Sequence, residues 1–350
     1  MAETTERKLK IGVVGSGSVG RIISLFLTDA GYDVEMTTKL NEDLVIDNMI
    51  NVEICGAFGE KNVLVPYVLS NKFTSPKDII FVMTKSFKIK DALSDTMQYL
   101  KEDGIVVGIQ NVLNLEEFFS VIPSSKYVSL VVDWNAFRYV DRKLVIVNHA
   151  GDNHIGVLNP KAKMFVPIVK KLMDNVTNTI VEEDMLDFIW SKFILTSLTS
   201  SLGALTGYNL AHILKTKEGK RLYINLIKEE IIVAEAMLRH RVSGFNFGFD
   251  YYKFVEDSIS GVLYRSSMFR RLINQNHNTV SSVLRNLENN RPTELDCLIK
   301  RVTEIAKANN IVVPYCTQLA TILDEIARDE KSIIMENIND DRLKNPMKYM

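Results

Sequence analysis

Two stretches of the chain hold groups able to do chemistry. The first is GSGSVG, residues 15–20. Gly15, Gly17 and Gly20 fit the spacing G-x-G-x-x-G. In it the first glycine makes a tight turn, the second lets backbone approach a pyrophosphate, and the third lets a helix pack on a strand. Ser16, Ser18 and Val19 fill the positions between, where N–H groups at a helix start face the phosphates. The second stretch is SKFILTSLTS, residues 191–200. Its single charge is Lys192, with Thr196 and Ser200 following at steps of four. Such steps place the three on one helical face. A lysine in an apolar helix is costly unless paired or put to use. It can stabilise charge growing on a carbonyl oxygen and deliver a proton there. Hydroxyls beside it can donate to the carboxylate of a small acid.

The elements that must position these groups differ between the two halves. KIGVVG (10–15) reads as a buried strand, SVGRIISLFLTDAG (18–31) as a helix stopped at Gly31, and YDVEMTT (32–38) as a second strand. DIIFVMTK (78–85), KIKDALSDTMQYL (88–100) and GIVVGIQN (104–111) continue the strand–helix alternation. That alternation predicts a parallel sheet covered by helices on both faces. Residues 127–140, 143–151 and 153–159 read as added antiparallel strands. From about residue 160 the pattern turns helical, with long helices at 184–207, 220–241 and 291–310, the last with Pro292 in its first turn. The expected division is residues 1–160, an α/β Rossmann-type dinucleotide-binding domain; residues 161–330, an all-α domain carrying the substrate and catalytic groups; and residues 331–350, a loosely attached polar tail. The lysine face is assigned to the cleft between the domains.

Bulk composition narrows the function classes. A chain of 350 residues with net charge −1 argues against a nucleic-acid or membrane-surface role. Three scattered cysteines suggest neither a disulfide framework nor a zinc site, and no metal cluster is seen. The polar N-terminus lacks a signal-peptide core, and no apolar run approaches a membrane span. A cytoplasmic protein is expected. The five histidines show no evident carboxylate partner. At the tip of the second strand Lys39 follows Thr37 and Thr38, while Glu35 lies inside the strand. A lysine there suits a 2′-phosphate, so NADP(H) is the expected cofactor rather than NAD. Lys85 and Gln110–Asn111 end two further strands, where cofactor contacts gather in this architecture.

These strand ends, the hairpin HAGDNHIG (149–156) and NRPTELDCLIKRVTEIAKANNIVVP (290–314) together resemble the ketopantoate reductase (2-dehydropantoate 2-reductase) family, from about residue 9 to 328. The resemblance implies NADPH-dependent reduction of a 2-keto acid, ketopantoate to pantoate in pantothenate and coenzyme A biosynthesis. It implies a C-terminal domain like that of 6-phosphogluconate dehydrogenase, and a possible homodimer. It implies that Gly15 through Gly20 cradle the pyrophosphate. Lys85 and Asn111 would lie near the nicotinamide and its ribose, Asn111 also meeting substrate, and Ala136 near the cofactor. Lys192 would donate the proton, Ser282 would meet the substrate carboxylate, and Glu294 would bond the cofactor ribose and help position the lysine. The sequence departs from the family in two places. Thr196 and Ser200, with Ser201, stand where the family has two asparagines and a proline, and Val112 replaces the glycine of QNG. The expected substrate is therefore a different 2-keto acid, or ketopantoate turned over poorly. Two alternatives stay open: a hydroxyacid or opine-type dehydrogenase, and an NADP-binding sensor without turnover.

Overall fold

The computed structural model describes residues 8–38, 45–109, 113, 115–138, 144–244, 248–277, 281–289 and 291–349, with backbone only at Val45, Ile46 and Ser282. Its contacts divide the chain into two units. The first holds the described residues up to Met185 apart from Leu113. The second takes Leu113 and the described residues from Leu186 onward. Leu113 joins the second because Arg301 Nε donates to its carbonyl at 3.0 Å.

The first unit is built on strands β1 (Lys10–Val14), β2 (Asp33–Thr38), β3 (Val45–Ile46), β4 (Met49–Gly56), β5 (Lys61–Leu69), β6 (Lys77–Val82), β7 (Leu100–Ile109), β8 (Tyr127–Val132), β9 (Asn135–Arg138), β10 (Leu144–His149), β11 (Asn153–Gly156) and β12 (Thr179–Val181). The sheet order is β12-β11-β8-β7-β6-β1-β2-β5-β4-β10-β9, with β3 on β4. β1 pairs in parallel with β2 and β6, and β7 in parallel with β6 and β8. The antiparallel pairing expected after residue 127 holds for β11 on β8 and β10 on β9, whereas β10 runs parallel to β4.

Helix α1 (Ser18–Asp29) follows β1 and is buried from Gly20 through Leu27 without a break. It touches not only β1 and β2 but also β4, β5, β9 and β10. The β5-β4-β10-β9 end of the sheet therefore covers the helix from the side away from β1. Ile22, Ile23 and Phe26 share one cluster with Ile11, Val13, Ile50 and Val145. α2 (Ile89–Thr96) and α3 (Leu115–Phe119) cover the other sheet face, with Ile89, Leu93 and Phe118 packed against Ile80 and Val82. α4 (Val166–Met173) lies against β11 and β12.

The boundary expected at residue 160 therefore needs moving. β12 extends the sheet in parallel on β11, and the Asn153 amide donates to the carbonyls of Met173 and Thr177, which keeps residues 161–181 in the first unit.

The second unit is helical: α5 (Met185–Thr206), which starts at the boundary, α6 (Leu210–Ile213), α7 (Lys217–Leu238), α8 (Tyr251–Val255), α9 (Ile259–Gln275), α10 (Ser282–Glu288), α11 (Ile299–Ala308), α12 (Pro314–Ala327) and α13 (Asp341–Lys344). α5 corrects the expectation that no run approaches a membrane span. Its 22 residues are long and apolar enough, but 72% of its most apolar window is buried, as befits the central helix of a globular unit.

Two further expectations fail locally. Residues 291–294 do not open a helix. Arg291 N donates to Asn286 O, and the Asn286 amide to Pro292 O, tying the segment to the end of α10, so the chain passes through a 3₁₀ turn at Leu295–Cys297 before α11 begins at Ile299. Nor is 331–349 a loose tail. Leu343 is fully buried, the Asn337 amide donates to Leu205 O, and Arg342 grips Glu325 and Asp340.

Candidate active site

The glycine turn leaves the carboxyl end of β1 as expected. Gly15 has φ +109°, its N–H donates to Thr37 O at 2.7 Å, and a Cβ there would meet Met83 O at 2.8 Å. A Cβ on Gly20 would stand 2.0 Å from Gly15 O, so helix and turn are locked by direct backbone contact. Gly17 differs from both. Its φ of −69° suits any residue, and a Cβ there would meet nothing within 4 Å among the described residues. Neither conformation nor packing asks for glycine at 17. What glycine leaves there is space that no described residue fills, above a helix start.

That start has no side-chain cap. The N-cap residue, a glycine, gives the first N–H groups of this 12-residue helix no side-chain acceptor, and the positive end of the helix dipole lies behind them. Ser16 is buried, and Ser18 and Val19 are half-buried at the rim. Beneath the turn lies Arg21, fully buried, its Nε donating to Ser16 O at 2.9 Å. It ties the turn to the helix and places a buried cation beneath it. Arg21 was not among the sequence candidates. The available signal was a lone charge inside the apolar run of GRIISLFL.

At the second strand, Glu35 is buried and ion-paired with Lys77 Nζ at 2.7 Å, and it accepts from Thr74 N at 3.0 Å. Its carboxylate is committed to the sheet and does not serve the strand tip. Thr37 is also buried, its hydroxyl donating to Val68 O. Lys39 and Asn111 lie outside the described residues. Lys85 stands three residues beyond the end of β6, exposed, at the start of the 3₁₀ turn Ser86–Lys88. Ala136 is on β9, partly buried against the α1 cluster, so the fold brings its strand to the helix that the glycine turn opens.

In the helical unit, α5 is buried round most of its circumference. The half-buried positions are Leu186 in the first turn and then Phe188, Lys192, Leu195, Thr196 and Thr199, the last five of which fall on one stripe. Helix geometry corrects the expected grouping. At about 100° per residue, Ser200 is turned about 80° from Lys192, whereas Thr199 returns to within about 20°. Ser200 is accordingly buried at 7% exposure. Thr199 joins Lys192 and Thr196 on the stripe, with its hydroxyl donating to Leu195 O at 2.7 Å.

α10 approaches the far end of this helix. The Ser281 hydroxyl accepts from Leu284 N and caps α10, and a Cβ built on Gly203 would lie 3.4 Å from it. Gly203 is about 16 Å along α5 from Lys192 at 1.5 Å per residue. The lysine and the helix of Ser282 thus mark the two ends of a stripe filled by Thr196 and Thr199. Glu294 is half-buried in the segment that Asn286 ties to α10.

One histidine has a carboxylate partner after all. His154 Nδ1 lies 2.6 Å from Glu182 Oε1, joining β11 to the residue after β12. Four strand spacings separate β11 from β1, about 19 Å, so this pair stands apart from the glycine turn.

A mainly parallel sheet with this turn, followed by a helical unit, defines a Rossmann-type protein with an all-α C-terminal half. The family model "Ketopantoate reductase PanE/ApbA" matches residues 11–160, and its C-terminal counterpart matches residues 184–327. The chain belongs to the ketopantoate reductase family. The 2-dehydropantoate 2-reductase of Pyrococcus abyssi is 21% identical over 308 residues, covering 87% of this chain and 94% of that one. The structure of 2-dehydropantoate 2-reductase from Geobacter metallireducens is similar at a TM-score of 0.77 and 18% identity, covering 91% of this chain and 100% of that one. The ternary structure of D-mandelate dehydrogenase with NADH and anilino(oxo)acetate is similar at 0.76 and 18%, covering 92% and 99%.

Proposed function

We propose that this protein reduces a small 2-keto acid to the 2-hydroxy acid with a nicotinamide dinucleotide, NADPH in preference to NADH. The observation that carries the reading is Gly17: a glycine with ordinary φ and no described residue within reach of a Cβ, at a helix start without a side-chain N-cap, over the buried Arg21. Those features fit a pyrophosphate, with the N–H groups of residues 18–20 donating to it and Gly15 and Gly20 holding the turn. Bound there, the reduced dinucleotide supplies the hydride that the ketone carbon accepts.

The chain's own residues supply the rest. Lys192 donates a proton to the carbonyl oxygen as charge grows there, and its ammonium stabilises that charge before transfer. Thr196 offers a short hydroxyl donor on the same stripe, where the Thr199 hydroxyl is already spent on Leu195 O, and Ser282 on α10 offers another to the substrate carboxylate. Lys85, Asn111 and Ala136 hold the cofactor, and Glu294 bonds its ribose. The preference for NADPH is supported by two residues. Glu35, the acid nearest the tip of β2, is taken by Lys77, and Lys39 follows Thr38 in the sequence.

The substrate we propose is a 2-keto acid other than ketopantoate, because hydroxyls replace the family's carboxamides. The NADH-bound D-mandelate dehydrogenase of the same fold favours a second reading, an NADH-linked enzyme for a bulkier 2-keto acid. A cytoplasmic homodimer belongs to the same proposal, and a dimeric ketopantoate reductase from Staphylococcus aureus shares the fold. The test is a steady-state assay of NADPH and NADH oxidation with ketopantoate, pyruvate and phenylglyoxylate. Turnover of at least one keto acid, faster with NADPH, is expected. Tight dinucleotide binding with no turnover of any 2-keto acid would replace the reductase with a sensor.

A further inference from the structure

The helical unit contains an open groove of about 790 Å³ between α7 and α9. α7 gives it Lys217, Lys220, Arg221, Ile224 and Lys228, spaced by three and four so that they share a face. α9 answers with Val262, Arg265, Phe269, Arg270 and Ile273 at the same spacing. Half of the fourteen lining residues are lysine or arginine, against one carboxylate, Asp257. The whole chain has 42 basic and 43 acidic residues, so this excess is local.

The two ends of the groove differ. At one end Asp257 lies 3.5 Å from Lys228 Nζ and 3.9 Å from Arg265, whose guanidinium also donates to Phe254 O at 2.9 Å. That end is balanced. At the other, Lys215, Lys217, Arg221 and Arg270 have no carboxylate within ion-pair distance among the described residues. Between the cations, Ile224, Phe269 and Ile273 make an apolar floor, with Lys220 Nζ 5.6 Å from the Phe269 ring centre. Clustered like charges repel one another, and a bound anion relieves that repulsion. Arginine forks suit phosphate oxygens in particular. The volume is that of a small-molecule site, and an apolar floor under a cationic rim fits an anion with an organic body.

We propose that this groove binds a small organic oligophosphate of nucleotide size, its phosphates on Lys217, Arg221 and Arg270 and its organic body over Phe269. The site belongs to the helical unit, whereas the glycine turn belongs to the other, and the inference does not depend on the reductase reading. It is tested on the full chain by isothermal titration with ATP and with inorganic tripolyphosphate, comparing wild type, R221E/R270E and R221K/R270K. We expect a binding component at low salt that the charge reversal weakens at least tenfold and the lysine pair retains, with ATP bound more tightly than tripolyphosphate. Binding at the glycine turn survives the reversal, so the lost component reports the groove alone. Four results would each overturn the proposal: binding untouched by R221E/R270E, no preference for ATP over tripolyphosphate, affinity confined to single-stranded RNA, or a dimer that the reversal splits, which would make the face a contact between copies.

Discussion

Gly17 and Gly20 lie three residues apart and are glycine for different reasons. At Gly20 the backbone of Gly15 fills the space a side chain would need. At Gly17 nothing among the described residues does, and on the proposed reading that space is reserved for the cofactor. G17A should therefore keep the wild-type melting temperature and bind NADPH at least tenfold more weakly, measured by fluorescence titration. G20A should lower both stability and binding. If G17A binds as wild type does, the turn is a plain glycine corner. The hydroxyl stripe is the second residue-scale test. Ketopantoate should not exceed other 2-keto acids in kcat/KM by more than about a hundredfold, roughly 2.7 kcal/mol of transition-state binding, and T196N should shift the ratio toward ketopantoate. A hundredfold preference already present in the wild type would contradict the reading. The glycines and Lys192 were legible because each is an exception within its surroundings. The place of Ser200 was not, because a step of four drifts about 40° per repeat and two repeats move a side chain off the stripe.

α5 owes its orientation in part to a buried polar seam with α7. The Ser197 hydroxyl donates to Glu230 Oε1 at 3.0 Å, and both residues are fully buried. Burial holds the Glu230 carboxyl well above the ordinary range, and the nearby Glu229 adds to this. The folded chain therefore retains a proton that the unfolded chain releases. The associated stability is complete below the unfolded pKa of about 4.3 and is lost as pH rises through the folded value. E230Q keeps an acceptor for Ser197 and removes the titration. Its stability relative to wild type should grow between pH 5 and pH 9 in urea unfolding, and a constant difference across that range would show that Glu230 does not titrate in the fold. α5 and α7 were readable from long apolar spacing alone. The start of α11 was not, because Asn286 of another helix holds residues 291–292 out of helical form. β4 and β5 were not read at all. Their alternating burial depends on which face the curling sheet turns toward α1, a tertiary fact.

At the scale of the whole molecule, sequence showed an α/β half and a helical half but misjudged where each ends. Residues 161–181 look helical in isolation, yet Asn153 and β11 draw them into the sheet unit. The last twenty residues look like a tail because their apolar content is low. Beside the buried Leu343 and the Asn337 amide, charge helps to attach them: Arg342 holds the carboxyls of Asp340 and Glu325 below their ordinary range by hydrogen bonding. Such groups add stability that is present above the unfolded pKa of about 4 and is lost as pH falls through their folded values. R342A should cost the helical unit about 2 kcal/mol in urea unfolding at pH 7, the scale of hydrogen bonds to charged groups, and much less at pH 3. An equal cost at both pH values would mean that Arg342 acts only by packing.

The account as a whole rests on Lys192 as the proton donor, and one comparison tests it most directly. Wild type and K192A are measured for kcat with NADPH and the best 2-keto acid of the panel, with the dissociation constant for NADPH taken in parallel. The account predicts a loss in kcat of at least about a hundredfold, the lower end for a removed general acid, with NADPH affinity changed by less than about threefold. A K192A enzyme within tenfold of wild type in kcat would contradict it.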